Sequence, residues 1–264
     1  MRTAILTAAL FGMSLVVGVH AADEDTNKIT ELTPEKARAL AQAQGSLQLD
    51  GLTKLSPEVA GALARQKGRL FLNGVTDLPI DAAKALGSHE GELRLNGLTS
   101  LSEGAAIALG QRPTVSNLHM TSLKSLPPEV AKALAPHRGA MYLNGLTELS
   151  DESAEALKSY RGVGLVFNGV TKISDRAVIS LAQHKGNWLA LNSMTTLSDD
   201  AAKALAQREG ITNLARVTTL SDDAARALAK HKGQLLLSGL TTLSDEAAKA
   251  LRANKGISLP AKFR

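Results

Sequence analysis

Residues Leu70–Gly91 read LFLNGVTDLPIDAAKALGSHEG, and near-copies of this stretch run along almost the whole chain. One precedes it at Leu47–Gly68 (LQLDGLTKLSPEVAGALARQKG), and another lies near the far end at Leu235–Gly256 (LLLSGLTTLSDEAAKALRANKG). In each copy Leu alternates with a variable residue, Asn-Gly or a relative follows, and an Ala/Leu-rich segment runs on to a Gly. The unit reads as one strand, one tight turn and one helix. A chain of 264 residues would ordinarily suggest one or two globular domains. Repetition overrides that inference, because an array grows by adding units rather than by enlarging one core.

Helix signals agree from unit to unit. Gly45, Gly68 and Gly91 are 23 apart, and Gly139, Gly162, Gly186, Gly210, Gly233 and Gly256 follow at 23 or 24. Ten helical segments are expected, at 34–44, 57–67, 80–90, 103–111, 128–138, 151–161, 175–185, 199–209, 222–232 and 245–255. Most open with a Ser or Thr whose oxygen can accept from the free N–H groups of the first turn, such as Thr33, Ser56, Ser150 and Ser244. Pro or Asp comes next, suited to the first helical position and to the positive end of the dipole. The recurring Gly is expected to end each helix. Ala60, Ala83, Ala106 and their equivalents form one column, and Leu63, Leu86, Leu109 and theirs form another three residues on, which places both on one helical face. Helices are about 10 Å wide and strands sit about 4.8 Å apart. The short Ala side chains reduce that mismatch, and curvature absorbs the rest, with strands inside and helices outside.

Pairs such as Leu70/Leu72, Leu93/Leu95 and Met141/Leu143 mark short strands with one buried face. Asn-Gly then turns the chain, both residues tolerating positive φ. The pattern L-x-L-N-G-L-T-x-L-S-D-E-A-A-x-A-L-A resembles the leucine-rich repeat, over residues 29–259. The nearest subtype is the cysteine-containing one, although Leu52, Val75, Leu98 and their equivalents stand where it has Cys. The resemblance implies a curved α/β solenoid with a parallel sheet on its concave face, used for partner binding. Pro113 breaks one unit, where it is expected to stop the helix early and form a kink or bulge. At the C-terminus, Pro260, Lys262 and Arg264 would blunt the edge of a last strand, 257–259.

The two ends and the composition bound the address. Arg2 followed by the apolar run 3–19 and Val19-His20-Ala21 reads as a signal peptide over 1–21. Residues 22–28 read as a polar lead-in, and 29–264 as the solenoid. No second apolar run is long enough to span a membrane, so export to the periplasm, cell surface or extracellular space is expected. The chain has no cysteine, so packing rather than disulfides must stabilise it. Aromatics make up only 3% of residues, so each one is conspicuous.

The outward strand positions, Gln48, Phe71, Arg94, His119, Tyr142, Val166, Ala190, Asn213, Leu236 and Ser258, form the least repetitive column. Such freedom marks either recognition or drift on an exposed face. Aromatic and Arg enrichment favours energetic contacts, and the partner-binding candidates are Phe71, Arg94, His119 and Tyr142, joined by Trp188 from the neighbouring column. Asp50, Asn73, Asn96, Asn144, Asn168 and Asn192 form a second column, read as a stacked amide ladder or turn formers rather than a glycan or metal site. His89, His137, His184 and His231 read as helix-end donors near the negative dipole end. Their spacing does not bring ligands together around a metal. Cofactors and metals are not expected, and no catalytic motif is found. The chain reads as a non-enzymatic exported scaffold for a protein or peptide. The alternative is binding of an anionic envelope polymer along a basic helix-end edge; the net charge is +5. Nucleic acid is not expected as a partner, since no recognised module occurs.

Overall fold

In a computed structural model, residues 25–264 are described; the expected signal peptide lies outside them. The fold is a leucine-rich-repeat-like solenoid. Ten strands form one parallel sheet in chain order: Leu47–Gln48, Leu70–Phe71, Leu93–Arg94, Leu118–His119, Ala140–Tyr142, Gly164–Val166, Trp188–Ala190, Ile211–Asn213, Leu235–Leu236 and Ile257–Ser258. The inward residues pair without a break, Leu47↔Leu70↔Leu93↔Leu118↔Met141↔Leu165↔Leu189↔Thr212↔Leu235↔Ile257. Ten α-helices alternate with the strands: α1 Pro34–Leu40, α2 Pro57–Leu63, α3 Ile80–Leu86, α4 Glu103–Gly110, α5 Pro128–Leu134, α6 Asp151–Leu157, α7 Asp175–Ala182, α8 Asp199–Leu205, α9 Asp222–Leu228 and α10 Asp245–Arg252. Each helix packs against the next. The Leu column ending with Leu251 and the Ala column are buried, as are Leu52, Val75 and Leu98 at the subtype's Cys position.

Ser or Thr caps eight of the ten helices through its side chain, while Pro79 and Pro127 open theirs without one. The capping hydroxyl also links repeats. Ser244 Oγ accepts from Ala247 N–H and donates to Asp222 of the preceding repeat at 2.6 Å. Ser174 with Asp151, and Ser221 with Asp199, repeat that link.

Four expectations are corrected. The helices are seven or eight residues long and most stop four residues short of the expected ends. The recurring glycine is not their cap: the α2 C-cap is Ala64, and that of α3 is Gly87 rather than Gly91, both in right-handed geometry. From the second helix on, the residue two before the recurring Gly turns its side chain inward. The repeated glycines, Gly45 apart, do not hold positive φ either. They allow close approach. A Cβ on Gly74 would lie 2.8 Å from Leu52 O, and one on Gly68 would overlap Gly45 O. Finally, α4 is not cut short by Pro113. It has eight residues, and the extra length forms a bulge at the exposed Val115 while the sheet register passes through intact.

The inward-turning residues form a buried polar spine, one per repeat: Gln66, His89, Arg112, His137, Tyr160, His184, Arg208, His231 and, half-buried, Asn254. The histidines are therefore not solvated helix-end donors. Most of the other members reach back to carbonyls of the previous repeat. Gln66 Nε2 donates to Gly45 O at 2.5 Å, Arg208 to His184 O and Gly186 O at 3.0 Å each, and Asn254 Nδ2 to His231 O at 2.8 Å. Arg112 bonds His89 O and Gly91 O, and Tyr160 bonds Gly139 O. At His184 and His231 the ring Nδ1 instead accepts from Gly186 N–H (2.8 Å) and Gly233 N–H (3.0 Å).

The ends are closed by the chain itself. Thr26–Lys28 is a 3-10 turn, and Asn27 Nδ2 donates to Gln48 Oε1 at 3.1 Å on the first strand. After the last strand, Ala261–Phe263 form another such turn, and Lys262 Nζ reaches back to Thr241 O at 2.7 Å.

Burial in the spine holds its histidines neutral, with His137 pushed down to about 4 and His184 to about 3. Arg112 adds to the effect on His137, and Arg208 to that on His184. An unfolded chain would protonate these rings near pH 6.5, so the unfolded state binds more protons below that pH. Stability is then fully present above pH 6.5 and falls as pH drops toward 4. His137 alone accounts for about 3 kcal/mol of that loss. Urea unfolding midpoints should be level from pH 8 to 7 and decline from 6.5 to 4.5, and His137→Gln should flatten the decline; a level midpoint across that window contradicts the buried spine.

Candidate binding face

The parallel register decides which side chains meet. Gln48, Phe71, Arg94, His119, Tyr142, Val166, Ala190, Asn213, Leu236 and Ser258 are consecutive partners along one row. Two residues earlier in each strand lies a second row on the same face, since side chains i and i+2 share a side. That row includes Glu92, Ala140, Gly164 and Trp188, with Ala140↔Gly164↔Trp188 in register.

All five candidates fall into one chain of contacts. The Arg94 guanidinium lies 4.7 Å from the Phe71 ring centre. Arg94 Nε donates to Glu92 Oε1 at 2.7 Å, and His119 Nε2 lies 3.3 Å from the same oxygen. His119 stacks on Tyr142, with centroids 4.0 Å apart and planes 4° from parallel. Trp188 meets Tyr142 edge-on at 6.0 Å. It does so across Gly164, where a Cβ would lie 2.8 Å from Trp188 Cβ, so the bare position leaves room for the indole. The contact sequence runs from the second strand of the sheet to the seventh, about 24 Å at 4.8 Å per strand.

Glu92 is the member that the outward column alone does not disclose. It belongs to the second row, which also supplies Trp188, and it joins three basic or titratable side chains; Arg69 Nε is 3.9 Å from its Oε2. Its side chain is 16% exposed. Burial pushes the His119 pKa down to about 4, with Glu92 opposing and Arg94 assisting. Burial, and then Glu92, raise that of Tyr142. At neutral pH the stacked pair is therefore uncharged, and formal charge is confined to Arg69, Glu92 and Arg94.

Three members of the row differ from expectation. Phe71, at 9% exposed, and Val166 and Ala190 are buried, although they point to the sheet's open side. Val166 and Ala190 follow Tyr142 in register and lie alongside the Gly164–Trp188 row. The Asn column is a ladder over its first half: Asp50 Oδ1 accepts from Asn73 N–H (3.1 Å), Asn73 Oδ1 from Asn96 N–H (3.2 Å) and Asn96 Oδ1 from Thr121 N–H (3.2 Å). Asn144 continues it to Asn168 N–H at 3.1 Å. Among the described residues, no three His, Asp or Glu side chains are placed to hold a metal.

No protein-family model and no curated protein matches the chain. Among solved structures, the crystal structure of an internalin from Listeria monocytogenes strain 4b F2365 is similar at 13% identity and a TM-score of 0.41, over 85% of this chain and 82% of that one. That likeness is remote; the solenoid stands on its own strand register.

Trp188 is the chain's single tryptophan, so its fluorescence reports on this face alone. Tyr142→Ala should shift the emission to the red by removing the ring beside it, while leaving the circular dichroism unchanged. An unshifted emission maximum would contradict the edge-on contact.

Proposed function

We propose that the chain is a non-enzymatic, exported recognition scaffold that captures a protein or peptide on its concave sheet face. The observation that carries this is the unbroken series Phe71–Arg94–Glu92–His119–Tyr142–Trp188, which gathers three of the chain's seven aromatic residues on one face. Rings held by one another lose little freedom on binding, so their contact area converts to affinity with a small ordering cost. Trp, Tyr and Arg are also the residue types that most often dominate binding energy. A strip of about 24 Å across the strands suits an extended peptide segment of about seven residues.

Export rests on the leader at 1–21, ahead of a lead-in at 22–28 and an array at 29–264. Among the described residues no helix is long and apolar enough to cross a membrane. The subtype reading rests on the buried aliphatic residues Leu52, Val75 and Leu98 at the cysteine position, where side-chain packing is the common requirement.

The test is to pan a displayed peptide library on the purified protein and measure the enriched peptides against variants. Phe71→Ala, Tyr142→Ala and Trp188→Ala should each weaken binding about tenfold or more, the loss of about 1.4 kcal/mol typical of an anchor. Binding should persist in 1 M salt, where the Debye length is about 3 Å. Peptides that bind the triple variant as well as the parent, or that release in salt as a Lys/Arg-edge contact would, contradict the reading.

A further inference from the structure

The opposite edge of the sheet, where helices run into strands, carries a feature that the sheet-face reading does not use. Two adjoining cavities of about 340 and 580 Å³ open there between α6, α7 and α8, and share Lys185 and Gln207 on their walls. Arg208 and Glu209 line the first, and Lys158 and Arg161 line the second.

The charges do not balance. Lys158 is paired with Glu155 at 3.3 Å. None of the ion pairs among the described residues involves Arg161, Lys185 or Arg208. Arg208 is 4% exposed. Its two terminal nitrogens are spent on His184 O and Gly186 O, and its Nε has no partner. Arg112, the other spine arginine, likewise leaves one nitrogen without a partner, but it has a further acceptor in Ser116 Oγ at 3.0 Å and does not line these cavities. Arg208 has no such acceptor. Burial pushes its pKa down to about 10, so it stays charged at neutral pH. Carbonyl oxygens at the helix ends offset part of that charge but carry no formal negative charge. A buried cation without a counter-charge is costly, and here it lies on the wall of a polar cavity with a free Lys at its side. Glu209 is the one carboxylate on the walls; it is exposed and forms no ion pair with Arg208.

We propose that the cleft formed by Arg161, Lys185 and Arg208 is a binding site for a phosphate-class oxyanion, which supplies the missing counter-charge. The ligand is a tetrahedral dianion rather than a carboxylate, because the three cations come from three repeats along the walls of two adjoining cavities and no single planar fork is presented. The site lies on a different face from the aromatic strip and stands or falls without it.

The test is calorimetric titration of inorganic phosphate into the full chain at fixed ionic strength, with acetate and chloride as parallel arms. Saturable one-to-one phosphate binding is expected. It should weaken about tenfold or more when Arg161→Ala and Lys185→Ala are combined, two exposed positions whose loss should leave the fold intact. Arg208→Gln should abolish binding, and Glu209→Gln should strengthen it by removing a repulsive charge. The proposal is overturned if phosphate gives no more heat than chloride, if acetate binds as tightly, or if the Arg161/Lys185 double variant binds unchanged. It is also overturned if Glu209→Gln lowers the melting temperature by several degrees, since Glu209 would then be the counter-ion itself.

Discussion

Successive repeats can share one sheet only if their backbones approach to strand spacing at every corner of the turn, and that approach governs the rest of the structure. At most of the corners flanking the strands, the chain passes so near the carbonyls of the previous repeat that a Cβ would clash, as at Gly68 against Gly45 O and Gly74 against Leu52 O, while Ser116, Ser122, Ser193 and Arg216 stand at the equivalent corners of other repeats. Glycine is chosen here for volume, not for backbone freedom, since among the described residues only Gly45 has a positive φ. With the corners that close, the Leu-x-Leu pairs fall into register. The helices, which are wider, pack through Ala on their inner faces and leave the sheet on the concave side.

The same closeness creates a problem that the polar spine resolves. Helix ends and strand starts leave carbonyl groups inside the stack, and an unpaired buried carbonyl costs free energy comparable to a lost hydrogen bond. Gln66, Arg112, Tyr160, Arg208 and Asn254 donate to those carbonyls, each bridging one repeat to the one before. The imidazoles of His184 and His231 accept from backbone N–H groups instead. Interleaving neutral rings with the two guanidiniums separates the buried charges along the column. The rigid stack then presents the opposite row, Phe71 to Trp188, as a set of rings already in contact, so the recognition face is ordered by the same repeat spacing that orders the core.

Much of this was legible in the sequence because translation along an array turns one-dimensional spacing into spatial neighbourhood. The strand row Phe71–Arg94–His119–Tyr142, the Asn ladder, the Ser caps and the Leu and Ala columns follow from period alone. What period does not give is direction. Nothing in the spacing of His89, His137, His184 and His231 says that the chain leaves the helix three or four residues early and carries those rings inward; that comes from the competition of carbonyls for donors. Period does not single out Glu92, because it stands in the second row, where Asn117, Ala140 and Gly164 follow it and no residue type recurs. Val166 and Ala190 were expected to be open, and are buried on the side where Trp188 and Tyr142 flank them.

The register itself is the claim most directly open to measurement, because the native chain has no cysteine to confuse a cross-linking experiment. Asn213 and Leu236 are register partners on adjacent strands, and Ser258 lies one strand beyond. Adjacent parallel strands place partner Cα atoms about 4.8 Å apart, within disulfide range, whereas a skipped strand puts them about 9.6 Å apart, beyond it. The double variant Asn213→Cys with Leu236→Cys should therefore oxidise to an intramolecular disulfide, and Asn213→Cys with Ser258→Cys should not. Equal bridging in both pairs, or bridging only in the second, would contradict the stacked register.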